Sequence, residues 1–266
     1  MPTVTIDGIK VEVEKNATIL EAAQKAGVWI PTLCYHEAVS RSGACRLCMV
    51  ELEGGDRKQL VTSCNYPVRH DLVVSTTSEQ AVKARCGVME LLLARAPESE
   101  ELKELAERMG VLQTSFPTVT ESQRNCILCG LCIRVCEEVI GQSAIGFAGR
   151  GVDKAVAGPF RQPAEDCIGC GACAAICPVG TIRIRLHEEE QEIEISPFKS
   201  RNKLIVCEEC GAMIISAQVS EQALRKIESI FAEFPHRLRL CPQCRKKQTA
   251  KKLEESKVFH KKVTVS

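Results

Sequence analysis

The chain has 266 residues, of which 45% are hydrophobic, 26% charged and only 4% aromatic, and its formal charge is +1. That apolar fraction is globular and excludes wholesale disorder, and no run approaches the roughly eighteen apolar residues of a membrane span. The opening Met-Pro-Thr-Val-Thr-Ile-Asp has neither the basic nor the apolar region of a secretory signal.

Residues 1–77 read as a β-grasp domain in an α+β, multidomain chain. Val4 and Ile6, then Asp7-Gly8, then Ile9, Val11 and Val13 alternate about a turn that tolerates positive φ, which predicts a hairpin. Thr18-Ile-Leu-Glu21 is a capping box, and the helix it starts runs through Ala22, Ala23 and Ala26 until Gly27 closes it. A cysteine loop follows, Cys34-x10-Cys45-x2-Cys48-x15-Cys64. Three ligands on a loop and a distant fourth suit a [2Fe–2S] cluster, although the plant-type spacing is shorter. Zinc, the alternative, favours two compact pairs, and Cys34 and Cys64 each stand alone. Gly43 lets the loop wrap closely. His36 reads as a solvated loop histidine, with a ligand or proton-carrying role as the alternative.

Residues 78–120 read as a short helical linker, two helices broken at Pro97. Val82, Cys86, Met89 and Leu93 fall three or four apart on one face, so Cys86 is expected to be a small buried hydrophobe and not a ligand. Residues 121–196 hold an internal repeat: Cys126-x2-Cys129-x2-Cys132-x3-Cys136 and Cys167-x2-Cys170-x2-Cys173-x3-Cys177-Pro178. This is the bacterial pattern for two [4Fe–4S] clusters, in which the fourth cysteine of each string serves the other cluster. The expected sets are Cys126, Cys129, Cys132 and Cys177 for one, and Cys136, Cys167, Cys170 and Cys173 for the other. Glu137 stands where the second string has Pro178, which spares all four ligands. Gly130, Gly169 and Gly171 relieve crowding, and Ile127, Leu128, Ile133, Ile168 and Ile176 can form a dry shell. Ile182, Ile184 and Leu186 alternate with arginines, and Ile193 and Ile195 with glutamates, which predicts a hairpin with an opposite-charge outer face.

Pro197 to Lys203 reads as a linker. Residues 204–250 carry Cys207-x2-Cys210 and Cys241-x2-Cys244, two knuckles with an amphipathic helix between them (Ala223, Leu224, Ile227, Ile230, Phe231). Such pairs suit a structural zinc in a zinc-ribbon-like module; a fourth iron–sulfur cluster is the alternative, because the ligand set alone does not select the metal. Residues 251–266 form a Lys-rich, solvated tail.

Sixteen of the 17 cysteines therefore fall in four quartets. Without an export signal, that usage points to metal ligands in a reducing compartment, the cytoplasm, and not to disulfides. Counting metals and thiolates together leaves each site at about −2, so the loaded chain sits at roughly −7, which argues against nucleic-acid binding by general electrostatics. With no GxGxxG fingerprint, no Walker loop and no companion nucleophile set around the scattered histidines, no catalytic residue and no bound flavin or NAD are expected on this chain. A regulatory nucleic-acid binder using the knuckles and tail would not need three cluster motifs.

The segments Cys34-Tyr-His-Glu, Gly43-Ala-Cys-Arg-Leu-Cys48, Val61-Thr-Ser-Cys64, Asn125-Cys-Ile-Leu-Cys129, Arg134-Val-Cys136, Gly149-Arg-Gly151 and Cys167 to Pro178 resemble two relatives. These are the N-terminal part of the large iron–sulfur subunit of respiratory NADH dehydrogenase and the diaphorase small subunit of NAD-linked hydrogenases. The resemblance covers roughly residues 3–186. The family usually carries a further [4Fe–4S] held by one histidine and three cysteines; residues 79–116 contain no histidine and only Cys86, so that cluster is expected to be absent. The resemblance implies an electron-transfer subunit, not catalytic itself, of a soluble multi-subunit NAD(P)-linked oxidoreductase. Its implied partners are a flavin-containing NADH dehydrogenase-like subunit and a catalytic subunit. A hydrogenase is favoured, an electron-bifurcating one included; a formate dehydrogenase or other reductase, and a free ferredoxin-like carrier, stand as alternatives.

Overall fold

The computed structural model describes residues 1–54, 58–119, 125–227 and 239–255. They form two compact units, one of Met1–Gln162 with Ala172–Arg183, the other of Pro163–Gly171 with the residues from Ile184 onward.

The first unit begins with the expected hairpin. β1 (Thr3–Ile6) and β2 (Ile9–Glu12) pair antiparallel with Ile6 opposite Ile9, and Asp7 and Gly8 turn between them at φ 46° and 86°. α1 (Ile19–Lys25) starts at Thr18, whose side chain accepts from the Glu21 amide while the Glu21 carboxylate accepts from the Thr18 amide, so two otherwise orphaned donors are satisfied. β3 (Met49–Glu53), β4 (Gln59–Thr62) and β5 (Leu72–Ser75) complete a five-stranded sheet ordered β2-β1-β5-β3-β4, with β1 and β5 parallel. Val4, Ile6, Val50 and Val74 meet Ile19, Leu20 and Ala23 in its core. Helix across a mixed sheet is the arrangement expected of a β-grasp.

α2 (Glu79–Arg95) and α3 (Glu100–Arg108) break around Pro97, and Ser78 and Ser99 cap them through Ala81 and Leu102. Met89 and Leu93 are buried as the periodicity predicts. Val82 is 41% exposed, and Cys86 is half-buried against the apolar core and not sealed within it. This second core gathers α2, α3, the Cys34–Cys48 loop and the Cys126 string: Leu47, Met89, Leu102, Ile127 and Leu131 all belong to it. α4 (Leu131–Arg134) continues into a wide-turned π-helix, Val135–Ile140, which carries Cys136. β6 (Gly146–Ala148) and β7 (Ala155–Ala157) form a small hairpin, and α5 (Ala172–Ala175) carries Cys173.

The second unit is built on an antiparallel sheet ordered β11-β10-β9-β8: β8 (Arg183–His187), β9 (Glu192–Ser196), β10 (Ser200–Val206) and β11 (Met213–Ser216). Two expectations are corrected here. Pro197–Lys203 is not a linker, because Ser200 onward is a strand hydrogen-bonded to β9 on one side and β11 on the other. The glutamates of β9 pair with β10 and not with the arginines of β8: Arg201 meets Glu194 at 3.1 Å and Lys203 meets Glu192 at 3.1 Å, while on the β8 side it is His187 that meets Glu194, at 2.9 Å. β8 is an edge strand, and its Ile184 and Leu186 are 46% and 53% exposed, whereas Ile193 and Ile195 of β9 are buried. The helix expected between the knuckles is α6 (Ala217–Ile227); Ile230 and Phe231 lie outside the described residues, as does the tail beyond Glu255. A last helix, Pro242–Glu255, carries Cys244.

Candidate metal centres

Cys34, Cys45, Cys48 and Cys64 are all buried, Cys48 and Cys64 to 1% exposure. The thiols of Cys34, Cys45, Cys48 and Cys64 influence one another's ionisation, Cys34 through Cys45 and Cys64 and Cys48 through Cys64. The Cys45 amide also donates to Cys34 Sγ at 3.4 Å. Hydrogen bonds from Cys45 and Cys64 hold the Cys34 thiol far below the usual range, and one from Cys64 brings Cys48 down to about 7. The donors move the other way: Cys45 is pushed up by its bond to Cys34, and Cys64 by its bonds to Cys34 and Cys48. Sulfurs that oppose one another's ionisation in this way would be relieved by a cationic centre held among them. The loop closes at Gly43, at φ +63°, where an added Cβ would lie 2.7 Å from the Asn65 amide nitrogen. His36 is exposed, and its Nδ1 accepts from the Ala38 amide.

In the Cys126 string, left-handed Leu128 and Gly130 (φ 53° and 72°) fold the chain back so that its cysteines converge. The Leu128 amide donates to Cys126 Sγ at 3.4 Å. Burial pushes the thiols of Cys126, Cys129 and Cys132 up, Cys129 to about 11. Each of the three is raised further by the charge of Cys177, and Cys132 also by Cys173. Cys177 thus lies close enough to act on all three, as Cys34 does on Cys129 and Cys173 on Cys132. Thiols that pay this desolvation cost as ions are served by metal ligation, which replaces lost water with a charge.

Cys136 and Cys173 lie in the first unit, Cys167 and Cys170 in the second. Within the second unit the Cys167–Cys170 turn lies on the sheet at Gly169, where an added Cβ would meet Asn202 and Ile193 at 3.0 Å. The Asn202 side-chain nitrogen there is buried with no hydrogen-bond partner among the described residues, a donor that a bound sulfide could satisfy.

At the C-terminal knuckles the four sulfurs of Cys207, Cys210, Cys241 and Cys244 all lie within 4.8 Å of one another, a geometry that fits a metal site. Cys210 and Cys241 sulfurs are 3.7 Å apart. The Cys241 amide donates to Cys207 Sγ and lowers that thiol to about 6, while the Cys244 amide donates to Cys241 Sγ. Among the described residues the apolar support is Leu240 with half-buried Ile214.

Sequence reasoning missed the side chains that tie the loops together. Arg134 Nη2 donates to the Cys34 carbonyl at 3.0 Å and Nη1 to the Cys129 carbonyl at 3.2 Å. Glu138, one turn on, accepts from the Ser40 amide and hydroxyl at 2.6 and 2.5 Å. Arg95 Nε donates to the Cys126 carbonyl at 2.9 Å. The acceptors of both arginines are backbone carbonyls, so no spacing of side chains signals these contacts.

The profile of a 2Fe-2S iron-sulfur cluster binding domain matches residues 1–79, and that of a 4Fe-4S dicluster domain matches residues 166–214. The second match spans Cys167–Cys177 and the first knuckle and leaves the Cys126 string outside. The chain is 35% identical over 205 residues to the NADPH-Fe(3+) oxidoreductase subunit alpha of Geobacter sulfurreducens, covering 68% of this chain and 24% of that one. It is 35% identical over 211 residues to the NADP-reducing hydrogenase subunit HndD of Solidesulfovibrio fructosivorans, covering 68% and 36%. It thus spans about a quarter to a third of these curated relatives. A chain of the NAD+-reducing [NiFe]-hydrogenase in its H2-reduced state superposes with a TM-score of 0.59 at 30% identity, covering 67% of this chain and 85% of that one.

Proposed function

Because the chain belongs to the family of iron–sulfur subunits found in NAD(P)-linked hydrogenases and NADH dehydrogenases, we propose that it carries single electrons between a flavin-bearing, NAD(P)H-oxidising subunit and a catalytic subunit, a hydrogenase by preference. Cys34, Cys45, Cys48 and Cys64 would hold a [2Fe–2S] cluster. Cys126, Cys129, Cys132 and Cys177 would hold one [4Fe–4S], and Cys136, Cys167, Cys170 and Cys173 another. When bound, such clusters supply one-electron steps that connect two-electron hydride chemistry at a flavin with a distant site. The chain's own part is to hold the ligands dry and to donate N–H groups to their sulfurs, which tunes the potential.

The observation that carries this reading is that Cys34 and Cys45 share one apolar core with Cys129, so two of the ligand sets are built into the same packed interior. Cys207, Cys210, Cys241 and Cys244 would hold zinc and serve folding or docking. A tetrahedral ion with bonds of about 2.3 Å places its sulfurs about 3.8 Å apart, in line with the 3.7 Å seen, whereas a four-iron cube holds its thiolates further apart. Anaerobic purification tests the whole assignment. About ten iron and ten acid-labile sulfide per chain, one zinc, and a co-purifying flavoprotein are expected. About fourteen iron without zinc would overturn the zinc site, and a monomer with no flavoprotein bound would turn the relay subunit into a free carrier.

A further inference from the structure

The Arg134 guanidinium is shared between two cysteine loops, at Cys34 and Cys129, that are distant in sequence. It reaches the backbone carbonyl of Cys34 with one terminal nitrogen and that of Cys129 with the other, and its Nε is buried with no partner among the described residues. Room for it is made at Gly130, where an added Cβ would stand 3.2 Å from Nη1. The Ser40–Glu138 pair, one helical turn away, fastens the same loop to the same helix with two further hydrogen bonds. Arg95 offers the contrast: it reaches Cys126 alone.

We propose that Arg134 is a positioning residue that couples the two sites, fixing the spacing of the Cys34 and Cys129 loops and favouring the reduced state of both. This rests on the cluster assignment proposed above. A guanidinium cannot lose its charge, and its planar fork suits two carbonyls at a fixed separation, which a lysine ammonium on a flexible stem does not reproduce. Each electron taken up makes a thiolate-ligated site more negative, and a cation held between two such sites in a poorly hydrated interior stabilises both reduced states and offsets their mutual repulsion. Arg95, placed beside one string, acts on that string alone.

The test uses the full chain, purified anaerobically, with redox titration followed by electron paramagnetic resonance. Wild-type chain must first show both a [2Fe–2S] and a [4Fe–4S] signal with spin–spin broadening between them; if either is absent, the cluster assignment fails, not this inference. Arg134→Gln is expected to lower both midpoint potentials and to lose the broadening, whereas Arg95→Gln lowers the [4Fe–4S] potential alone. Arg134→Lys keeps both potentials near wild type but loses broadening, because the charge stays and the fork is gone. Unchanged potentials in Arg134→Gln at full iron content would overturn the proposal. If that variant fails to load iron, Arg134→Lys decides: wild-type broadening there refutes the coupling.

Discussion

Replacing Cys241 by Ser is expected to unfold the knuckle module locally and leave the first unit's clusters intact. About fifteen residues, roughly 207–214 and 239–245, are ordered around the four sulfurs, and fixing them costs on the order of 22 kcal/mol at about 1.5 kcal/mol each. Among the described residues the apolar return is meagre: Leu240 is 1% exposed and Ile214 half-buried, together about 3 to 4 kcal/mol. Among the described residues, four backbone hydrogen bonds outside the strands and helices close the module: Cys207 to Ala212, Glu208 to Arg239, Gly211 to Cys207 and Arg245 to Cys241. At about 1 kcal/mol each they add roughly 4. The shortfall of about 14 kcal/mol matches the roughly 10 to 16 kcal/mol that a structural zinc contributes. Hydrogen exchange at those four amides, read by mass spectrometry beside the zinc content, is the assay. The amides are expected to exchange at unfolded-chain rates in Cys241→Ser and after chelation. Full protection in the zinc-free chain would refute the ledger, and loss of electron transfer from an otherwise assembled variant would make the site a redox centre.

Cys177→Ser is expected to remove about four iron per chain and the signal of the cluster assigned to Cys126, Cys129 and Cys132, since Cys177 neighbours those thiols; loss of the other [4Fe–4S] signal alone would reverse the pairing. Cys86→Ala should keep all iron and lower stability in chemical denaturation by under about 1 kcal/mol, because the thiol is only half-buried against the core; iron loss would make Cys86 a ligand. Glu194 is held below the usual carboxylate range by its hydrogen bond with His187 and by the Arg201 charge. A depressed carboxyl contributes stability that is present above the unfolded value of about 4.3 and is lost as pH falls through the folded one. Glu194→Gln should therefore flatten the acid limb of the thermal midpoint measured from pH 3 to 7, and an unchanged slope would contradict the pairing.

Local chemistry was legible in the sequence because it is short-range. The Asp7-Gly8 turn, the Thr18–Glu21 box, the break at Pro97 and the close-set cysteine loops each involve residues within a few positions, so spacing alone specifies them. What tertiary structure decided is which distant partner each group meets. Glu192 and Glu194 lie on β9 between β8 and β10, and the structure pairs them with Arg201 and Lys203 of β10 and, on the β8 side, Glu194 with His187 in place of the arginines. The same neighbour made a strand of the end of a segment that alone reads as a linker, since an extended chain with no regular apolar alternation is stabilised there by its ladder with β9. The Arg134 bridge goes furthest in this respect: its acceptors are backbone carbonyls, which every residue carries, so no pattern of side chains could announce that Cys34 and Cys129 would be brought to one guanidinium.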